Sequence, residues 1–250
     1  MHSLEAKLTD RELKRYDRQI KMPNIGEEGQ KKLKSAKVLV AGAGGIGSVA
    51  TIYLAAAGIG HIVIVDKDRV DITNLNRQIV HWEEDIGKFK AISAAEKLRR
   101  MNSDIHVEGV VEEIKEDNVE ALLEGVDVVI DALDNYETRF LLNKAILKKG
   151  IAMVHGAVYG FEGQIMTIVP GKTACLRCLY KDVKSRNFIP VLGIAPAVIG
   201  ALEVAEAVKY LTGTGELLLN RMLLFDGEQM RFYEVQVQRD PKCPVCSQRI

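Results

Sequence analysis

The sequence predicts an α/β fold, a mainly parallel sheet with helices on both faces, finished by antiparallel strands toward its C-terminal end. Three observations carry this. Val- and Ile-rich runs alternate with helix-patterned segments from Lys37 to His155, the signature of repeated strand-helix-strand units. A glycine-rich turn, Gly42-Ala43-Gly44-Gly45-Ile46-Gly47, joins the first such strand to the first such helix. Beyond Gly156 the alternation gives way to β-rich segments around one long apolar helix, the pattern of antiparallel strands added at the edge of a parallel sheet.

Taken in order, 9–35 reads as two short helices, with Thr9 or Asp10 able to cap the first and Pro23-Asn24 breaking between them. A buried strand over 37–41, a helix over 45–57 and a strand over 61–66 follow. The series continues as a helix over 88–101, a strand over 105–110, a helix over 116–123, a strand over 127–131, a helix over 137–149 and a strand over 151–155. In the last third, 162–169 reads as a strand, 191–211 as a helix, and 221–226 with 230–237 as a hairpin around Gly227. Pro196, Glu203, Glu206 and Lys209 interrupt the apolar window 191–211, which makes it a buried amphipathic helix rather than a membrane span.

The chain has 250 residues, enough for one sizeable core. Its 34 basic and 34 acidic side chains balance, which gives no electrostatic case for nucleic acid or an anionic membrane as partner. No apolar run opens the N-terminus, so no signal peptide is expected and the cytoplasm is the expected compartment. All four cysteines fall in two C-x-x-C pairs, Cys175/Cys178 and Cys243/Cys246. In a cytosolic protein this spacing points to metal before disulfide, here to one closed tetrahedral zinc site; buried thiols and redox pairs are the alternatives.

The glycine turn sits between a strand and a helix, the context of a Rossmann-type nucleotide site. Gly42, Gly44, Gly45 and Gly47 let the backbone approach a phosphate, and the helix N-terminus offers unpaired N–H groups to it. Asp66 ends the next strand, placed to accept from a ribose. This pattern leaves NAD and ATP both open. Gly171-Lys172-Thr173 imitates the end of a Walker motif, but Met166 stands where its first glycine belongs.

The long polar connection over 66–78 brings Asp68, Asn74, Arg77 and Gln78 beside the nucleotide, and Lys90 opens the next helix. Arg77 and Lys90 could bracket a triphosphate; read singly, each is a solvated surface cation. Asp131 and Asp134, with Asn135, end the fourth strand. Asp134, with Asp131 as a helper, is the expected holder of phosphate-bound Mg²⁺, and Asp134 or Asn135 could equally cap the following helix. His61, His81, His106 and His155 are scattered and read as surface or satisfied structural residues rather than as a proton-transfer set.

These segments, with the run Arg15-Tyr16-Asp17-Arg18-Gln19 and Gly87-Lys88-Phe89-Lys90, resemble the MoeB/ThiF/HesA family over nearly the whole chain. The resemblance implies ATP-dependent adenylation of the C-terminal glycine carboxylate of a ubiquitin-like sulfur-carrier protein, with release of pyrophosphate. It implies that Asp66 binds ribose, Arg77 and Lys90 bind phosphate, Asp134 lies near phosphate and Mg²⁺, and Asn74 and Gln78 line the site. Arg18 resembles an arginine that enters the neighbouring subunit's site, which implies a homodimer. The expected organisation is one domain: N-terminal helices over 1–35, a nucleotide-binding half over 36–156, and a carrier-binding and zinc half over 157–250. Molybdopterin, thiamin, tRNA thiolation and ubiquitin-like conjugation pathways all use such chemistry.

Some relatives carry a further cysteine after the first zinc pair; 180–194 has none. With every cysteine assigned to zinc, no thiol is left for a covalent intermediate. Little sequence follows Cys246, so no rhodanese-like domain is expected and sulfur should come from a separate protein. The run 188–196 is read, from position alone, as a mobile crossover segment over the carrier tail. Two other readings stand beside the main one: an NAD-dependent oxidoreductase, and a non-catalytic zinc-stapled binding protein for a ubiquitin-like tail.

Overall fold

The structure, a computed structural model, describes residues 7–181, 183 and 190–247. Its centre is one eight-stranded sheet in the order β3-β2-β1-β4-β5-β6-β7-β8. The strands are β1 (Lys37–Ala41), β2 (His61–Val65), β3 (His106–Val110), β4 (Val128–Asp131), β5 (Ala152–Tyr159), β6 (Glu162–Ile168), β7 (Arg221–Asp226) and β8 (Arg231–Gln236). β3 through β5 pair in parallel, and β6, β7 and β8 are added antiparallel, as the change of pattern after Gly156 predicts.

The helices are α1 (Asp10–Arg15), α2 (Asp17–Ile20), α3 (Gly26–Ser35), α4 (Gly45–Ala57), α5 (Lys90–Met101), α6 (Val119–Leu122), α7 (Tyr136–Lys149), α8 (Leu176–Leu179) and α9 (Ile194–Thr212). Strand periodicity divides the core. In β1, Val38 and Val40 face a cluster with Leu54, Leu98 and Ile199, while Leu39 and Ala41 face Leu123, Leu142, Ile146 and the buried cysteines Cys175 and Cys243. A strand buried on both sides has no polar face, which is why its sequence is a continuous apolar run. α9 buries Glu203 and Glu206, and among the described residues no helix is long and apolar enough to cross a membrane.

Three departures from the sequence reading have physical causes. The N-terminal segment forms three helices rather than two, because Tyr16 leaves helical geometry. Its ring is buried and its hydroxyl accepts from Asn102 Nδ2 at 2.9 Å, a partner no local pattern reveals. β5 runs on to Tyr159 because β6 pairs with it as far as Glu162. In the run read as a mobile crossover, 188 and 189 lie outside the described residues; the part that is described is held to the β5-β6 turn, Gly160 N donating to Pro190 O at 2.7 Å and Leu192 N to Gly160 O at 3.1 Å.

β1 leads outward through β2 to β3, whereas β4 leads the other way to β5. The chain therefore diverges between β1 and β4, and the crevice at the carboxyl ends of such strands is where open α/β sheets bind ligands.

Candidate active site

A cavity of about 1090 Å³ opens at that crevice. Gly42, at φ +101°, lies so close to the end of β4 that a Cβ would meet Ala132 O at 2.7 Å. Gly42, Gly44 and Gly45 line the cavity, and Gly44 is the N-cap of α4 without a side-chain hydrogen bond, leaving backbone donors for a ligand. Gly47 is not among the lining residues; a Cβ there would fall 2.0 Å from Gly42 O, so its part is to let α4 close on the turn.

Asp66 lines the cavity and already accepts from Ala43 N and Asp68 N, each at 2.8 Å. Burial pushes its pKa up, against these hydrogen bonds. Each carboxylate oxygen keeps a further lone pair for a ribose hydroxyl. Lys90, the first residue of α5, is buried and reaches Asp68 Oδ2 at 3.4 Å. Arg77 Nη1 donates to Thr73 O at 2.9 Å and to Asn76 Oδ1 at 3.0 Å. Gln78 is buried on the cavity wall, and its Oε1 has no hydrogen-bond partner, an acceptor that a bound ligand could satisfy. Asn74 does not line the cavity: its Oδ1 accepts from Asp71 N at 3.1 Å, closing the cap of the 72–74 turn.

His81 holds this connection against the glycine turn. One ring nitrogen, Nε2, lies 3.0 Å from Ala43 O, and Nδ1 lies 3.0 Å from Ser93 Oγ. A carbonyl can only accept, so Nε2 carries a proton. Burial holds its pKa down to about 4, from 6.5. Between those values an unfolded chain binds a proton that the folded one does not, so the contribution of His81 to stability is complete above pH 6.5 and is lost as pH falls toward 4. From pH 7 to pH 5 the wild type should lose about 2 kcal/mol more than His81→Gln. Parallel urea curves for the two proteins at the two pH values check this; an equal loss would refute it.

Asp134 and Asn135 lie at the mouth of β4 on the cavity. Asn135 caps α7, its Oδ1 accepting from Thr138 N at 2.9 Å, and Asp134 is exposed. Asp131 departs from its expected role as helper. It is wholly buried, and Arg139 Nε at 3.4 Å, His155 Nδ1 at 2.7 Å and Leu133 N at 3.3 Å take up its oxygens. Burial alone would raise its pKa, but the Arg139 guanidinium and His155 hold it below the ordinary carboxylate value. Arg139 also donates to Gly156 O at 2.8 Å and to Leu133 O, clamping the loop that presents Asp134.

Arg139 and Glu203 are the groups that sequence reasoning missed here, whereas His155, expected to be a surface or structural histidine, is the buried partner of Asp131. Arg139 could have been found, because it shares the inward face of α7 with Leu142, Asn143 and Ile146, and a cation at a core position must be paired. Glu203 carries the same signal, an acid between Ile199 and Ala207 on the buried face of α9. It is fully buried without a side-chain partner, and burial first, then the charge of Asp131, pushes its pKa well up.

Arg18 lies on α2, is exposed, and is not among the residues lining this chain's own cavity. Its helix is held by Gln19, whose Nε2 donates to Gln30 Oε1 at 2.7 Å and to Ala57 O at 3.1 Å.

The four cysteines converge. Cys175 Sγ lies 4.0 Å from Cys178 Sγ and 3.7 Å from Cys243 Sγ, and Cys178 Sγ lies 3.4 Å from Cys246 Sγ. Four sulfurs on one zinc stand about 3.8 Å apart, from a bond of about 2.3 Å and tetrahedral angles. Asp240 N points at Cys178 Sγ, 3.4 Å away, the kind of N–H that supports a thiolate ligand. Against burial, the backbone N–H groups of Cys246 and Val245 bring Cys243 down to about 7. The donor set fits Zn²⁺.

A family model described as the ThiF family matches residues 16–245. The SAMP-activating enzyme E1 of Haloferax volcanii is 44% identical over 243 residues, covering 95% of this chain and 90% of the relative. The sulfur carrier protein adenylyltransferase of Thermus thermophilus is 40% identical over 249 residues, covering 95% of this chain and 92% of its own length. Among solved structures, E. coli MccB with AMPCPP and MccA superposes with a TM-score of 0.85 at 27% identity, over 97% of this chain and 76% of that one.

Proposed function

The chain belongs to the ThiF family, within the MoeB/ThiF/HesA group, and from that premise we propose that it adenylates the C-terminal glycine carboxylate of a ubiquitin-like sulfur-carrier protein with ATP, releasing pyrophosphate. The observation that carries this is the meeting of the glycine turn, Asp66, Arg77, Lys90 and Asp134 on one cavity at the chain's divergence point. A dinucleotide would use the turn and Asp66 but has no evident need for two cations and an acid beyond them.

The reaction asks little covalent chemistry of the protein. The carrier carboxylate attacks the α-phosphorus, the bond to the β-phosphate oxygen breaks, and an acyl-adenylate forms. The protein aligns these groups and stabilises charge developing on the phosphates. Backbone N–H groups at the start of α4 receive phosphate, Asp66 holds the ribose, and Arg77 and Lys90 offset the charge of the departing pyrophosphate. Asp134 is the residue placed to hold Mg²⁺, which would neutralise phosphate oxygens when bound.

Zinc on the four cysteines would have a structural role, since four thiolates leave no open position. It would also leave the chain without a free thiol, because these are all its cysteines. The activity then stops at the acyl-adenylate, with sulfur supplied by a separate donor. One sheet running through the nucleotide and cysteine halves supports reading the chain as one adenylating unit, active as a homodimer with Arg18 reaching the neighbouring site.

Pyrophosphate exchange into ATP, with a carrier ending in Gly-Gly, tests the reading. Carrier-dependent exchange is expected; no exchange with any carrier of the same organism, together with tight NAD binding, would overturn it. For the dimer, mixing Arg18→Ala with Asp134→Ala should restore about a quarter of wild-type activity, because half of the randomly exchanged dimers regain one intact site. No recovery despite verified subunit exchange would show that Arg18 does not act across subunits.

A further inference from the structure

The opposite end of the sheet carries a second cluster of metal-ligating groups. His61 and His106 are the first residues of β2 and β3 and are register partners across the parallel pair. Their rings meet edge to face with centroids 4.6 Å apart. Glu108, two positions along β3 from His106, points between them: its Oε1 lies 3.1 Å from His61 Nε2 and 2.8 Å from His106 Nε2. Histidines 45 positions apart in sequence meet here through parallel register, which a single chain's order does not show.

We propose that His61, His106 and Glu108 form a transition-metal site, separate from both the adenylation cavity and the cysteine cluster, with solvent completing the coordination. One ligand atom from each residue lies within 4.8 Å of the others. Around a tetrahedral ion with bonds of about 2.0–2.1 Å, such atoms stand about 3.4 Å apart, so the observed separations need only open by a few tenths of an ångström. Two imidazoles and one carboxylate oxygen select Zn²⁺, Co²⁺, Ni²⁺ or Cu²⁺ over Mg²⁺ and Ca²⁺, which prefer all-oxygen shells.

The side chains are 28%, 63% and 45% exposed for His61, His106 and Glu108, leaving the cluster open to an entering ion and to water. Lys37 is the register partner of His61 on β1, and its ammonium donates to Glu124 O at 2.8 Å.

The test uses the full, untagged chain, purified with its retained zinc, washed with a chelator too weak to strip a four-thiolate site, and titrated with zinc chloride by calorimetry, with total zinc measured at the end. Wild type should take up about one labile equivalent beyond the chelator-resistant one. His106→Ala should weaken the labile step by at least about tenfold and keep the resistant zinc, and His61→Asn should do the same. Co²⁺ at the labile site should give weak d–d absorption without sulfur charge transfer. Identical titrations for wild type and His106→Ala, or no labile uptake by wild type, would overturn the proposal. A missing chelator-resistant zinc would count against the four-cysteine reading, and the difference between wild type and His106→Ala at the labile step would still decide the proposal.

Discussion

Asp134→Ala should lower carrier-dependent pyrophosphate exchange by about 10³-fold, the scale set by removing one group that stabilises charge in a transition state. The fold should hardly notice. Asp134 is exposed, its carboxylate accepts from Asn135 Nδ2 at 3.4 Å, and the cap of α7 belongs to Asn135. Exposed substitutions away from caps and cores change stability by about 0.5 kcal/mol or less. Urea unfolding and exchange, measured on one preparation, separate the two effects. Asn135→Ala is the control with the opposite balance, since losing an N-cap costs about 1 kcal/mol. Wild-type exchange by Asp134→Ala would remove the metal and phosphate role from this residue.

With zinc on the cysteine cluster, as proposed, its removal should be the largest single loss of stability. Binding free energy at a four-thiolate zinc site is folding free energy, so Cys243→Ala should cost on the order of 5 kcal/mol or more. The loss should begin locally, because Cys243 and Cys246 hold the chain's last turn to α8 and the sheet through the apolar cluster that contains Met153, Ile168 and Val237. Zinc content, thermal unfolding with and without a strong chelator, and proteolysis of the C-terminal segment report on it together. An unchanged melting curve after verified zinc removal would show that hydrophobic burial of the thiols is sufficient. Cys175 in particular sits in surroundings that push its thiol pKa strongly up through burial and its neighbouring thiols, so without a metal it stays protonated.

The alternating half of the fold was legible because β1, β2 and β4 are buried along almost their whole length and its two longest helices have marked stops; α4 ends at Gly58 and α7 at Gly150, both left-handed as a C-cap requires. The glycine turn, Asp66, Arg77, Lys90 and Asp134 were legible as residue types in sequence order. What no pattern could supply was direction. Asp131 and Asp134 stand three positions apart in sequence, yet one is sealed beneath the site and the other faces the cavity. Asn74 offers the same chemistry as Gln78, but a local capping turn engages it while Gln78 turns inward. Tyr16 breaks a helix for the sake of Asn102, far along the chain. Asp131 and Tyr16 are decided by contacts of long sequence separation, where local propensity is silent; Asn74 is decided by a three-residue capping turn that competes with the cavity for its side chain.

α7 links matters usually held apart. Asn135 at its start borders the nucleotide cavity, Arg139 one turn on clamps the Asp134 loop, and Asn143 a turn further accepts from Leu176 N at 3.0 Å, at the first helical residue after Cys175. A strain that swaps this helix for a more stable sequence would therefore alter catalysis, and a chelator acting far from the nucleotide would be felt as an apparent inhibitor. Screens for compounds against such an enzyme need a zinc-content control, or they will collect metal strippers and count them as competitors of ATP.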